Sequence, residues 1–441
     1  LNETTLTLSL GDLCRISGRD GLFIAVTILP GGQAEFVPFD AERPDRIAAA
    51  PAIRACSGSV NVVGNRRHLA AAVAMRRRTS AANKAFIARN QSDSRLPDES
   101  PAADVQSSSI RTAMIFCAGL GTRLRPLTSV FPKPAVPFFG KPLIHWTLRL
   151  LRNAGIQRVV INTHHLPDVM AQTARREAES IGFDSLSISH EPILMDTAGG
   201  LREARRFIGE DAFLAVNGDA FLSLNFADIA RRHLKSGALS TLCVAPPIPG
   251  ENFRAIEADP GGRIAKIRGI GRDAPGLSPW HFLGVHAACP ELFSFIAPEG
   301  PRDINGETYP AAIAAGNFIQ ALPMPVGAWA DLGTPLRYYD ACQEVLSGGA
   351  DLTPFGSDRP GAAGTTIDEG ETRSFIDGGA VMGEDVCLKG AVIQGDAVIG
   401  RGAHIERSVI LPGTHIGSGQ TIADAIVWNG GAMAIPADTN A

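Results

Sequence analysis

The segment Ile115–Leu148, IFCAGLGTRLRPLTSVFPKPAVPFFGKPLIHWTL, decides the fold, because it joins an apolar run to a helical one through two glycines and a cluster of cations. "TAMIFCAG" (112–119) reads as a buried strand, and "KPLIHWTLRLLRNAG" (141–155) as a helix ending at Gly155. In the turn between them, backbone amides can converge on an anion, and Gly119 and Gly121 permit its close approach. Arg123, Arg125 and Lys133 follow within one proline-punctuated stretch, a crowding of cations that a polyphosphate would relieve. Leu124 stands where a G-x-G-x-x-G fingerprint needs its third glycine, and the Gly-Lys-Ser/Thr ending of a P-loop is missing. Neither standard nucleotide fingerprint applies.

Further along, "RVVINT" (158–163) reads as a second strand, "LPDVMAQTARREAESIG" (166–182) as a second helix and "DAFLAVNGD" (211–219) as a later strand. This alternation predicts an α/β domain over residues 111–350, with a Rossmann-like, mostly parallel sheet that takes its ligand at the carboxyl ends of the strands. Two carboxylates stand at such places, Asp219 in "VNGDA" and Asp331 in "GAWADLGTP". Either one alone suits a turn or a helix cap; together with the cationic loop they point to a magnesium-phosphate site. His164 and His165 follow "RVVINT" without neighbouring cysteines and read as packing or loop-bonding residues.

After Asp351 the texture changes. Ile393, Ile399 and Ile405 are six apart, as are Ile410, Ile416 and Ile422, with glycines near the corners. That period predicts a short parallel β-helix of hexapeptide repeats over 351–441, whose few coils are covered by another copy, so a homo-oligomer is expected. Residues 1–89 contain strand-like "GLFIAVTIL" and "GSVNVV", then a leucine- and alanine-rich helical stretch (65–90), and suggest no chemistry. The run Arg76–Arg78 reads as a solvated helix face, and the polar, serine-rich stretch within 90–110 as a linker.

Composition narrows the function. With 41 basic and 45 acidic residues among 441, the net charge of -4 argues against broad nucleic-acid binding. The 7 scattered cysteines, with no C-x-x-C pair, argue against a disulfide framework or a structural zinc site. No apolar run is long enough for a membrane span and the first residues lack a signal-peptide pattern, so a cytoplasmic location without a membrane partner is expected.

"GLGTRLRPLT" with "FPKP", "NGD" and "WADLGTP" resembles the sugar-1-phosphate nucleotidyltransferases, also called nucleotide-diphosphate-sugar pyrophosphorylases, over about residues 112–346. The six-residue repeats match the left-handed β-helix tail of several branches. The resemblance implies that the loop Gly119, Leu120, Gly121, Thr122 and Arg123 holds a nucleoside triphosphate, with Arg123 on the β and γ phosphates and Lys133 on the reacting phosphates. It implies magnesium on Asp219 and Asp331, and a turn of Thr197, Ala198, Gly199 and Gly200 against the base or sugar, with Gly218 also beside the nucleotide. An oxygen of the sugar 1-phosphate would attack the α-phosphorus directly, without a protein nucleophile.

On the sugar side the Glu-Lys-Pro element of many relatives is missing; Gly284 and Lys266, or Arg268, are the candidates left. The "DTAGG" turn (196–200) looks like that of mannose-1-phosphate guanylyltransferases and also resembles N-acetylmuramate-1-phosphate uridylyltransferases, so GTP and mannose 1-phosphate are the expected pair. A non-catalytic, nucleotide-sugar-binding regulatory subunit is the alternative; the presence of Arg123, Lys133, Asp219 and Asp331 together favours an enzyme.

Overall fold

The computed structural model describes residues 109–247, 256–325, 327–370 and 372–437, together with the backbone of five strands nearer the N-terminus. Those strands, β1 (Leu13–Ile16), β2 (Leu22–Leu29), β3 (Gln33–Phe39), β4 (Ile53–Cys56) and β5 (Val60–Gly64), form an antiparallel sheet in the order β4-β3-β2-β1-β5. Both strand-like runs of the N-terminal region are thus strands. The helical stretch 65–90, its arginine run and nearly all of the linker lie outside the described residues. The chain divides into a unit that includes 1–89 and a unit of 90–437.

The second unit is built on β6 (Thr112–Phe116), β7 (Arg158–Thr163), β8 (Ser185–His190) and β9 (Phe213–Asn217). They run parallel in the order β8-β7-β6-β9. β6 and β9 are apolar along nearly their whole length because both faces are covered. The covering helices are α1 (Leu143–Asn153), α2 (Pro167–Ile181) and α3 (Asp196–Ile208). Proline at the first position of α2 and Gly182 beyond its end (φ 87°) mark the limits of that helix.

Beyond β9 come β10 (Ala220–Leu222), α4 (Phe226–Ser236), β11 (Ser240–Ala245), β12 (Ile256–Ala258), β13 (Ile264–Ile267), β14 (Ser278–Ala288), α5 (Tyr309–Ala314), β15 (Ile319–Pro323), β16 (Trp329–Asp331) and α6 (Pro335–Leu346). β14 lies antiparallel to β9 and β11 and extends the sheet, so the sheet is mixed rather than all parallel. β10 and β16 pair antiparallel with Ala220 opposite Asp331, which sets Asp219 beside Asp331.

From Arg373 to Val427 the chain winds as a parallel β-helix. Phe375–Ile376, Val392–Ile393, Val409–Ile410 and Ile426–Val427 stack along one face, and two three-stranded ladders form the others. Residues that stack lie 17 apart, as for Ala391 on Ser374. The repeat is therefore six, six and five, which is why Ile405 is followed by Ile410. Ile393, Ile399, Ile405, Ile410 and Ile416 fill the interior, each buried aliphatic contributing roughly 1.5–3 kcal/mol.

The β-helix shares its outer core with the α/β domain. Phe375, Val392, Val409 and Ile426 belong to one continuous apolar cluster with Phe138, Leu143 and Tyr338. Phe139 meets Phe375 edge-on with centroids 5.1 Å apart. Polar ties accompany this contact: Gln343 Nε2 donates to the Arg373 carbonyl (2.9 Å) and its Oε1 accepts from Arg373 N (3.0 Å).

Candidate active site

The carboxyl ends of the parallel strands surround a cavity of about 500 Å³. Phe116 from β6, Asn162 from β7 and Asn217 from β9 line it, with Gly119, Lys133 and Asp219 from the loops. The crossover connections leave these ends uncovered by helices, so the polar ends of otherwise apolar strands meet there.

The opening loop has the conformation its glycines allow. Gly121 takes φ 59°, which disfavours other residues, and its carbonyl accepts from Thr128 Oγ1 (2.8 Å). A Cβ on Gly119 would meet no atom within 4 Å, so packing does not explain that glycine. Open space beside an unhindered backbone is what a phosphate would require. Leu120 and Thr122 are exposed on the loop's outer side, and neither lines the cavity.

Lys133 begins a short 3-10 turn between two prolines, and its ammonium is buried (5% exposed). Its Nζ donates to Asp219 Oδ2 (3.0 Å) and Asp331 Oδ1 (3.1 Å). A buried cation shared by two carboxylates offsets part of its own desolvation. Arg123 approaches Asp331 Oδ2 at 3.6 Å, and Arg337 Nη1 donates to the same oxygen at 2.5 Å. Burial pushes the Asp331 carboxyl up, but Lys133, Arg337 and Arg123 outweigh it and hold it below the usual carboxylate range. Asp331 is therefore an anion at neutral pH.

Among the described residues, no group of three or more His, Cys, Asp or Glu is arranged to hold an ion alone. Two carboxylates are nevertheless enough for magnesium, which keeps waters and takes further ligands from substrate phosphates. Asp219 is about half exposed and lines the cavity, so its carboxylate can meet a phosphate-bound cation. The donor set fits.

Thr197–Gly200 lies in the first turn of α3. Ala198 N and Gly199 N both donate to the Arg302 carbonyl (2.8 and 3.2 Å), and Ala198, Gly199 and Gly200 are buried. Only Asp196 and Thr197 of this run reach the cavity. A Cβ on Gly200 would fall 2.6 Å from Glu191 Oε1, so that glycine serves packing. Gly218 is buried with its amide on the Phe116 carbonyl (3.0 Å), and it does not line the cavity. Gly284 takes φ 74° in β14 and packs under Asn217, whose Nδ2 would lie 2.6 Å from an added Cβ.

Lys266 lies on β13 with its ammonium on Asp273, and Arg268 pairs with Asp303; neither lines the cavity. The structure thus groups Gly119, Gly121, Lys133, Thr197 and Asp219 at the cavity, joins Arg123 and Asp331 to them by ion pairs, and places Lys266 elsewhere. His164 Nδ1 donates to the Glu191 carbonyl (2.8 Å) and His165 Nε2 to the Thr128 carbonyl (2.7 Å), so both bond loops.

Four residues of the site were not visible as candidates. Asn162 Oδ1 accepts from Cys117 N (2.7 Å) while its Nδ2 donates to buried Glu191 (2.8 Å), which in turn accepts from Met195 N (2.9 Å). This hydrogen-bonded chain ties the residue after β6 to the start of α3. Asn217 and Arg337 are the others; a polar residue ending an apolar strand is the signal that marks Asn162 and Asn217. Cys117 is a neutral thiol, since burial and then Asp219 push it up, and so it is no nucleophile. His281 stands edge-on to Trp329 (4.9 Å); burial pushes it down to about 4 despite Asp331, so it carries no charge at pH 7.

UTP–glucose-1-phosphate uridylyltransferase of Synechocystis sp. is 28% identical over 249 residues, covering 53% of this chain and 63% of that protein. Mannose-1-phosphate guanyltransferase of Schizosaccharomyces pombe is 29% identical over 230 residues, covering 51% of this chain and 62% of that protein. The chain thus spans under two thirds of the length of these relatives. The crystal structure of HddC from Yersinia pseudotuberculosis complexed with GMP-PN overlays with a TM-score of 0.45 and 18% identity, covering 54% of this chain and all of that one. The family model described as "Nucleotidyl transferase" matches residues 112–348, more than half of the chain, and the chain belongs to that family.

Proposed function

We propose that the protein transfers a nucleotidyl group from a nucleoside triphosphate to a sugar 1-phosphate, with GTP and mannose 1-phosphate as the pair. The observation that carries the reaction class is the arrangement of Lys133 between Asp219 and Asp331 at the rim of a cavity whose glycine loop has room beside Gly119. Support for the substrates comes from the "DTAGG" run and from relatives named mannose-1-phosphate guanyltransferase.

The chemistry follows from charge. An oxygen of the sugar 1-phosphate, already anionic, forms the new bond to the α-phosphorus, the bond between that phosphorus and the β-bridging oxygen breaks, and pyrophosphate leaves with the electron pair. No proton has to be removed, which fits a site where Cys117 and His281 are both neutral. The barrier is repulsion between polyanions, and Lys133 and Arg123 lower it by standing where phosphate charge accumulates. Magnesium held by Asp219 and Asp331 supplies further charge neutralisation and orientation of the phosphates.

The test is kcat/KM across a crossed set of nucleoside triphosphates and sugar 1-phosphates, read as pyrophosphate release. GTP with mannose 1-phosphate should lead; a preference for UTP would overturn the base, and no turnover with any pair by folded protein would favour a nucleotide-sugar-binding subunit. Asp219→Asn should raise the magnesium concentration needed for half-maximal rate, because an amide ligates a hard cation poorly.

A further inference from the structure

We infer that Arg337 is a built-in competitor for the magnesium at Asp331, released when phosphates arrive. The inference rests on the magnesium site proposed above. Arg337 lies in the first turn of α6, where Thr334 Oγ1 caps the helix by accepting from Arg337 N (3.3 Å). The dipole at that end disfavours a cation, so the helix does not account for this residue. Asp331 does: Arg337 Nη1 is 2.5 Å from its Oδ2, while Lys133 takes its Oδ1 at 3.1 Å and Arg123 stands 3.6 Å from Oδ2. Cations therefore face both carboxylate oxygens.

The backbone makes room for this crowding. A Cβ on Gly333 would fall 2.6 Å from Arg123 Nη2 and 2.8 Å from both Asp331 oxygens. Magnesium requires short, direct oxygen ligands in near-octahedral order, and a guanidinium on the same oxygen opposes it by charge and by space. Asp331 becomes a ligand when Arg337 yields. A nucleoside triphosphate supplies the acceptors that a guanidinium prefers, so the metal enters with the nucleotide rather than before it. The carboxylate pair is thereby kept from binding divalent ions unproductively.

The experiment is a titration of the full chain with Mn2+ alone, followed by loss of the free-ion electron paramagnetic resonance signal, without nucleotide. Arg337→Met should bind Mn2+ about tenfold more tightly than the parent, through loss of a unit charge at contact distance. Arg337→Lys, which keeps the charge, should stay near the parent, and adding Asp331→Asn to Arg337→Met should remove the gain. Arg337→Gln provides a second neutral variant with a different side chain in the first helical turn. If folded Arg337→Met and Arg337→Gln bind Mn2+ no more tightly than the parent, the inference fails. Pyrophosphate release measured alongside separates the two ideas: normal turnover with unchanged Mn2+ affinity overturns only the role of Arg337. Absent turnover with the predicted gain in affinity overturns only the reaction.

Discussion

Gln394 gives the sharpest test of whether the β-helix is part of the catalytic body. It belongs to the coil region, is fully buried, and accepts from Gly140 N (3.0 Å) while donating to Tyr338 Oη (3.0 Å). Tyr338 in turn donates to the Pro137 carbonyl, so one glutamine fastens both ends of the segment that follows Lys133. Gln394→Leu keeps the volume and strips both partners. Tyr338 Oη keeps the Pro137 carbonyl, so Gly140 N is the group left unpaired; such a group costs about 1–3 kcal/mol when buried and water recovers part of that at half-buried Gly140, so a loss of about 1–2 kcal/mol is expected. Equilibrium urea unfolding followed by tryptophan fluorescence should show a lower midpoint. Trp146 is a suitable reporter because its Nε1 donates to the Phe138 carbonyl (2.8 Å) in the same segment. Turnover should fall as well, since the tie to the Lys133 loop is lost. An unchanged midpoint and slope, with normal turnover, would refute the idea that the two layers act as one body.

Lys133→Met should lower kcat by about 10²- to 10³-fold, as loss of a charge aimed at developing phosphate charge does, which steady-state pyrophosphate release will check. For Asp331, the depressed carboxyl contributes stability that is present above the ordinary carboxylate pKa of about 4 and is lost as pH falls through the lower folded value. The urea midpoints of the parent and Asp331→Asn should therefore differ near about pH 6 and converge as acid protonates the parent below about pH 4. Association of copies through the β-helix is also expected, with Val381 (59% exposed) on a face that another copy would cover. Light scattering should then give a multiple of 46.4 kDa for the parent and a smaller mass for Val381→Asp; an equal mass would place the interface elsewhere.

Local sequence was enough for the elements that depend on neighbours along the chain. The apolar run into Gly119 reads as a covered strand and is one, the patterns of α1 and α2 mark them as helices, and the isoleucine period marks the coils. The glycine loop and its cations lie within one short segment, so their clustering was legible too. Other features depend on residues distant in sequence. Glu191 stands against Gly200 and Asp273 on the ammonium of Lys266, contacts that no local pattern announces. The six-six-five repeat emerged only when the coils stacked in register. Lys133 and Asp331 are 198 residues apart; the pairing of β10 with β16 brings Asp219 beside Asp331, and the fold carries the Lys133 turn to where its ammonium reaches both. A sequence records which charges are present; their energies fall off with distance in space, and folding alone sets that distance.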